Sequence, residues 1–141
     1  MIHLRIEKNK AIIGIQKAVR DINKAREALI RGDKEDAINY AWMAMENALN
    51  SIKLLINGTI TTRHATFRKL ALRFHYREKI LSKDFSSIVD DLERYRLWAQ
   101  HGPYAPVEET DFNYVKKLVE KVEKLVKEVE EYISKRFSLG T

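Results

Sequence analysis

Lys34-Glu35-Asp36-Ala37-Ile38-Asn39-Tyr40-Ala41-Trp42-Met43-Ala44-Met45-Glu46-Asn47-Ala48-Leu49-Asn50-Ser51-Ile52-Lys53-Leu54-Leu55-Ile56-Asn57 is the most apolar stretch of the chain. Ala37, Ala41, Met45, Ala48, Ile52 and Leu55 recur at helical spacing, and Ile38, Trp42, Leu49 and Ile56 widen that face. A face this wide needs neighbours on two sides, which predicts a helix at the centre of a bundle. The alanines at 37, 41, 44 and 48 let those neighbours come close. Glu46 is the exception within the pattern, three or four residues from Trp42, Leu49 and Asn50. It reads either as an edge carboxylate facing solvent or Lys53, or as a partly buried carboxylate that orients an arginine.

On the N-terminal side, Ile12, Ile15, Val19, Ile22 and Leu29 form one stripe, predicting a helix from about Lys8 to Arg31. Gly14 weakens that helix locally by roughly 1 kcal/mol. Gly32 is placed to end it, and Asp33 to cap the next, with Asp36 in a capping-box-like position. On the C-terminal side Gly58 stops the central helix. Thr61 or Thr62 is expected to cap a third helix running to about Ser82, with a possible break near Phe74 to Tyr76. Its basic residues, among them Arg68 and Arg73, alternate with Phe67 and Phe74. That pattern suits either single-stranded RNA or a core-facing aromatic edge beneath a solvated face.

A fourth helix begins near Asp84 and carries Phe85, Ile88, Leu92, Tyr95 and Ala99 inward, with Arg96 at the border of the core. Asp111 caps a fifth, in which Val115, Leu118, Val122, Leu125, Val129 and Tyr132 keep heptad spacing. Ser134 to Thr141 reads as a fraying tail. The expected fold is all-α, an antiparallel up-and-down bundle of four to five helices in one domain, residues 1–141.

Composition agrees. With 5 Gly and 2 Pro in 141 residues, long helices are favoured over many short strands. The absence of cysteine excludes disulfides and thiolate metal sites. No apolar run of signal-peptide type opens the chain, and no window reaches the roughly 20 apolar residues that span a bilayer. A soluble cytoplasmic protein with no membrane contact is expected. The formal charge of +6 admits a polyanionic partner.

Arg96-Leu97-Trp98-Ala99-Gln100-His101-Gly102-Pro103-Tyr104 closes the fourth helix. Gly102 suits a helix end and Pro103 cannot continue it. On an unbroken helix, residues five apart lie about 140° apart around the axis. A helix that stops at Gln100 or His101 lets His101 turn back beside Arg96. An arginine that grips phosphate beside a histidine that moves protons suits phosphodiester cleavage without a metal or other cofactor, because RNA supplies its own 2′-hydroxyl nucleophile. His3, His64, His75 and His101 show no zinc-ligand spacing, and no His-Glu-x-x-His, Walker or dinucleotide motif occurs. Arg94, seven residues before His101, is the alternative arginine.

The ordered set of features resembles the HEPN superfamily (higher eukaryote and prokaryote nucleotide-binding domains). The resemblance runs from the corner Ala28-Leu29-Ile30-Arg31-Gly32-Asp33 through Ala37, Ala41, Ala44, Glu46, Ala48, Leu49, Lys53, Leu54 and Leu55. It continues with Gly58 and His64 opening helix three, then Arg96 and His101. It implies a homodimer in which two Arg-x4–6-His motifs meet, metal-independent endoribonuclease activity with Arg96 and His101 as catalytic pair, and a toxin paired with a minimal nucleotidyltransferase antitoxin. Tyr104 then lines the site or accepts a regulatory nucleotide. Leu97 follows the arginine where active members usually carry a polar residue, and Tyr104 stands three residues after His101 rather than two. The alternative is a noncatalytic dimeric module that binds a nucleotide or scaffolds a partner.

Overall fold

A computed structural model of the chain describes residues 2–100 and 110–138, with side chains described for 7–96 and 110–137. Its regular structure is an all-α bundle of five helices among those residues: α1 Ile2–Ile30, α2 Lys34–Asn57, α3 His64–Tyr76, α4 Ser86–Gln100 and α5 Phe112–Ser138. None of the described helices is long and apolar enough to cross a membrane.

The corner between α1 and α2 is built by two residues. Gly32 takes φ +75°, and the Asp33 N–H reaches back to the Ala28 carbonyl (2.8 Å) while the Gly32 N–H reaches Leu29 (3.0 Å). This crossed pair satisfies the last carbonyls of α1. The Asp33 carboxylate then accepts from the Asp36 N–H (3.0 Å), capping α2.

α2 touches each of the other four helices, and its contact with α1 is the most extensive in the fold. Small residues explain the closeness. Ala11, Ala18, Ala25 and Ala28 of α1, and Ala37, Ala41, Ala44 and Ala48 of α2, are all without solvent exposure. Gly14 belongs to the same seam: a Cβ there would lie 2.5 Å from the Ser51 Oγ. Ser51 is itself fully buried and donates to the Asn47 carbonyl (2.7 Å). Gly14 is thus a packing residue in an uninterrupted helix. α5 covers α1 and α2 with Val115, Leu118, Val122, Leu125, Val126 and Val129.

Three boundaries differ from the sequence expectation. α1 starts at Ile2 rather than near Lys8, since no Gly or Pro interrupts those residues. α3 stops at Tyr76 rather than Ser82 and has no threonine cap. The Thr61 backbone is instead held by both ends of the Asn50 amide, 2.9 and 3.0 Å away. At its other end Lys79 takes φ 57°, and the Ile80 and Leu81 N–H groups both return to the Phe74 carbonyl, which folds Leu81 into the core. α5 continues to Ser138, because Ile133 is buried and Phe137 packs on the core beneath Lys8 Nζ, 4.8 Å from its ring.

Replacing Gly14 by Ala tests the seam. Helix propensity alone would add about 1 kcal/mol of stability, whereas overpacking costs about 1–3 kcal/mol. Urea denaturation is expected to show net destabilisation, largely relieved in the Gly14→Ala/Ser51→Ala double variant. A stabilised single variant would contradict the close approach.

Candidate functional site

Helices α2, α3 and α4 converge on Arg96. Its position in α4 follows from helical spacing: it lies four residues after Leu92 and seven after Val89, both fully buried. Arg96 is only 7% exposed, deeper than a border position suggests. A guanidinium so far from water must be paired or stacked, and two neighbours do this. Its Nη2 donates to His64 Nδ1 at 2.7 Å, and its central carbon stands 4.9 Å from the Trp42 ring centroid, a cation–π distance. His64, the first residue of α3, and Phe67, one turn on, both meet Trp42 edge-on, with ring centroids 5.3 and 6.0 Å away. Arg96 Nε is buried and has no hydrogen-bond partner among the described residues.

The hydrogen bond fixes the state of His64. Arginine has no acceptor, so the imidazole Nδ1 must accept, and the ring is neutral with its proton on Nε2.

Glu46, one turn after Trp42 on α2, sits at the partly exposed edge of this cluster. Burial raises its carboxyl above the ordinary 4.5. The Arg96 charge, the His64 ring whenever it is protonated, and a hydrogen bond from the Trp42 indole oppose that rise, and Asp21 on α1 adds to it. Lys53, the alternative partner for Glu46, donates instead to Thr59 Oγ1 at 2.7 Å. Asp21 is itself buried between α1 and α2, and accepts from Asn47 Nδ2 at 2.8 Å.

The other sequence candidates separate. Arg94 lies two residues from Arg96, about 200° around the helix; its side chain is exposed, 3.9 Å from Asp91. His101 and Tyr104 lie outside the described residues. On α3 the aromatics Phe67 and Phe74 are fully buried and offer no stacking face. Arg68 pairs with Asp90 (3.0 Å), and Arg73 with Glu78 (3.1 Å) and Asn57 (3.0 Å). Two open grooves, of about 590 Å³ between α1 and α5 and about 660 Å³ beside Lys10, Lys17 and Asn50, share no residue with the Arg96 cluster. Among the described residues no three His, Asp or Glu side chains are grouped to hold a metal ion.

Trp42 and His64 received no role from the sequence. Trp42 reads there as core, and it is 2% exposed. The available signal was the four-residue step from Trp42 to Glu46. Nothing comparable linked His64 to an arginine 32 residues away.

Chemically the cluster is a fixed cation. One guanidinium face is stacked and one N–H is committed, while other N–H groups keep donor capacity for an oxyanion. A carboxyl whose folded-state pKa is raised binds its proton more tightly in the folded chain. Its contribution therefore favours folding at acid pH and is lost as pH rises through the folded value. Glu46→Gln, permanently neutral, should gain stability relative to wild type as pH is raised from about 4 to about 7. Urea midpoints across that range would show it, and a pH-independent difference would contradict it.

The HEPN domain profile matches residues 14–132, a span that contains Trp42, Glu46, His64 and Arg96. No curated protein matches the chain. With the greater part of its length matched, from α1 into α5, the chain belongs to the HEPN domain family.

Proposed function

We propose that this protein is a metal-independent endoribonuclease of the HEPN type, acting as a homodimer in which Arg96 and His101 of two subunits compose the site. The observation that carries this reading is the fixed Arg96 guanidinium, five residues before a histidine, in a chain of this family. Arg96 binds the scissile phosphate and offsets charge on its nonbridging oxygens. His101 of one subunit takes the proton of the RNA 2′-hydroxyl, and His101 of the other gives a proton to the 5′-oxygen as the P–O bond breaks. Arg94, exposed and near Asp91, contributes general attraction for the backbone rather than grip on the reacting phosphate. Tyr104 lines the site or takes a regulatory nucleotide from a minimal nucleotidyltransferase antitoxin. Glu46 helps orient Arg96 electrostatically.

A second reading is favoured by one observation. Arg96 is held by Trp42 and His64 inside the fold, as a purely structural arginine would be. In that case the chain is a noncatalytic dimeric module for a nucleotide or a partner protein.

Cleavage of single-stranded RNA in the presence of EDTA separates the two. Wild type is expected to cleave. His101→Ala should lose about 100- to 10,000-fold in rate through loss of proton transfer. Arg96→Lys should also lose activity, since an ammonium cannot reproduce the guanidinium's paired contacts, whereas Arg94→Ala should stay within a few fold. Equal cleavage by wild type and His101→Ala, or none by either across a broad RNA panel, would transfer the assignment to the noncatalytic module.

The composite site also predicts a dimer in solution at tens of micromolar. Monomers alone by light scattering would contradict it.

A further inference from the structure

Three of the four candidate arginines of the sequence, Arg68, Arg73 and Arg94, pair with carboxylates near the surface, whereas Arg96 is held by an imidazole. That choice has a chemical consequence. A carboxylate would neutralise the guanidinium and compete with a phosphate for it, but a neutral imidazole holds it without cancelling its charge.

We infer that His64 is a positioning residue: its neutral Nδ1 holds Arg96 against Trp42 and presents the remaining guanidinium N–H groups to phosphate. This rests on the reading of Arg96 as the phosphate-binding group. The structure supports it at three points. The Nη2–Nδ1 distance of 2.7 Å is that of a short, charge-assisted bond. The Trp42 ring meets both the guanidinium and the imidazole, so neither can move without unpacking a buried side chain. Arg96 Nε, nine-tenths buried with its residue, is a donor that no group among the described residues satisfies. An oxyanion that accepts from it would complete the arrangement.

The same bond makes the arrangement depend on proton concentration. If Nδ1 is protonated it becomes a donor facing a donor, and two cations share one indole. The charged groups facing His64 are Arg96 from α4 and Glu46 from α2, and Asp21 of α1 acts in turn on Glu46. Glu46 moderates the repulsion but cannot restore the lost acceptor. Protonation of Nδ1 therefore removes the acceptor that holds Arg96.

Two substitutions separate positioning from folding. Asn places its Oδ1 near the position of Nδ1 and accepts a hydrogen bond without titrating, whereas Leu fills space and accepts nothing. Binding of a 2′-deoxy-substituted, uncleavable single-stranded oligonucleotide is measured at pH 7.5 for wild type, His64→Asn and His64→Leu. In parallel, the Arg96 Nε–H resonance, assigned through its absence in Arg96→Lys, is followed by NMR from pH 8 to pH 5. His64→Leu is expected to weaken binding about tenfold or more with unchanged helical content, and His64→Asn by less than about threefold. The Arg96 signal should broaden or shift toward acid pH in wild type and stay constant in His64→Asn. Equal weakening by Asn and Leu, no weakening by either, or an Arg96 signal indifferent to pH in wild type would overturn the positioning role.

Failure of the functional reading looks different. A wild-type protein that neither binds nor cleaves RNA, yet shows the His64-dependent, pH-dependent Arg96 signal, would retain the positioning bond and lose the phosphate.

Discussion

Close packing of small residues between α1 and α2 is the constraint on which the rest of the fold depends. Alanines on both helices, together with Gly14 against Ser51, bring the two backbones together. Such contact removes water from two helix faces without long side chains whose rotamers would have to be frozen. With one face occupied by α1, α2 still has enough apolar width for α5 on one side and for α3 and α4 on the other. Trp42 projects from that last face. The depth at which α2 is held sets how far the indole reaches toward α4.

The second constraint is electrostatic. A buried guanidinium loses hydration worth several kcal/mol, so it persists only where stacking and hydrogen bonds replace water. Trp42 supplies a face, His64 an acceptor, and Glu46 a carboxylate at the edge whose own charge is disfavoured by burial. These three come from two helices and Arg96 from another, so the cluster also ties α2, α3 and α4 together. The Nε–H is the part of Arg96 that has no partner among the described residues. It is also the part that a phosphate would engage.

Much of the scaffold was legible in the sequence because its boundaries are written in local chemistry. Gly32 and Asp33 encode the α1/α2 corner, and Gly58 ends α2 in the left-handed conformation, φ 74°, as a helix-stopping glycine does. The end of α3 was not legible. No Gly or Pro marks it; the stop comes from Lys79 in a positive φ and from two N–H groups returning to the Phe74 carbonyl, to bury Leu81. The tail of α5 was misread for a related reason, since Ile133 and Phe137 gain their partners only from the assembled bundle. In the candidate site, Arg96 and Glu46 stood out as polar residues set against apolar stripes. Trp42 looked like ordinary core, and His64 like the start of a helix, because the contact joining them to Arg96 exists only in three dimensions.

The central claim is that an arginine held in this way serves cleavage of RNA by its own 2′-hydroxyl. Its most direct test is the chemistry of the cut ends. With the wild-type protein in EDTA, mass spectrometry of the products should find 2′,3′-cyclic phosphate on the upstream fragment and a free 5′-hydroxyl downstream. A single 2′-deoxy substitution at the cleaved nucleotide should abolish that cut. Products bearing 5′-phosphates, or cleavage that survives the 2′-deoxy substitution, would contradict the account.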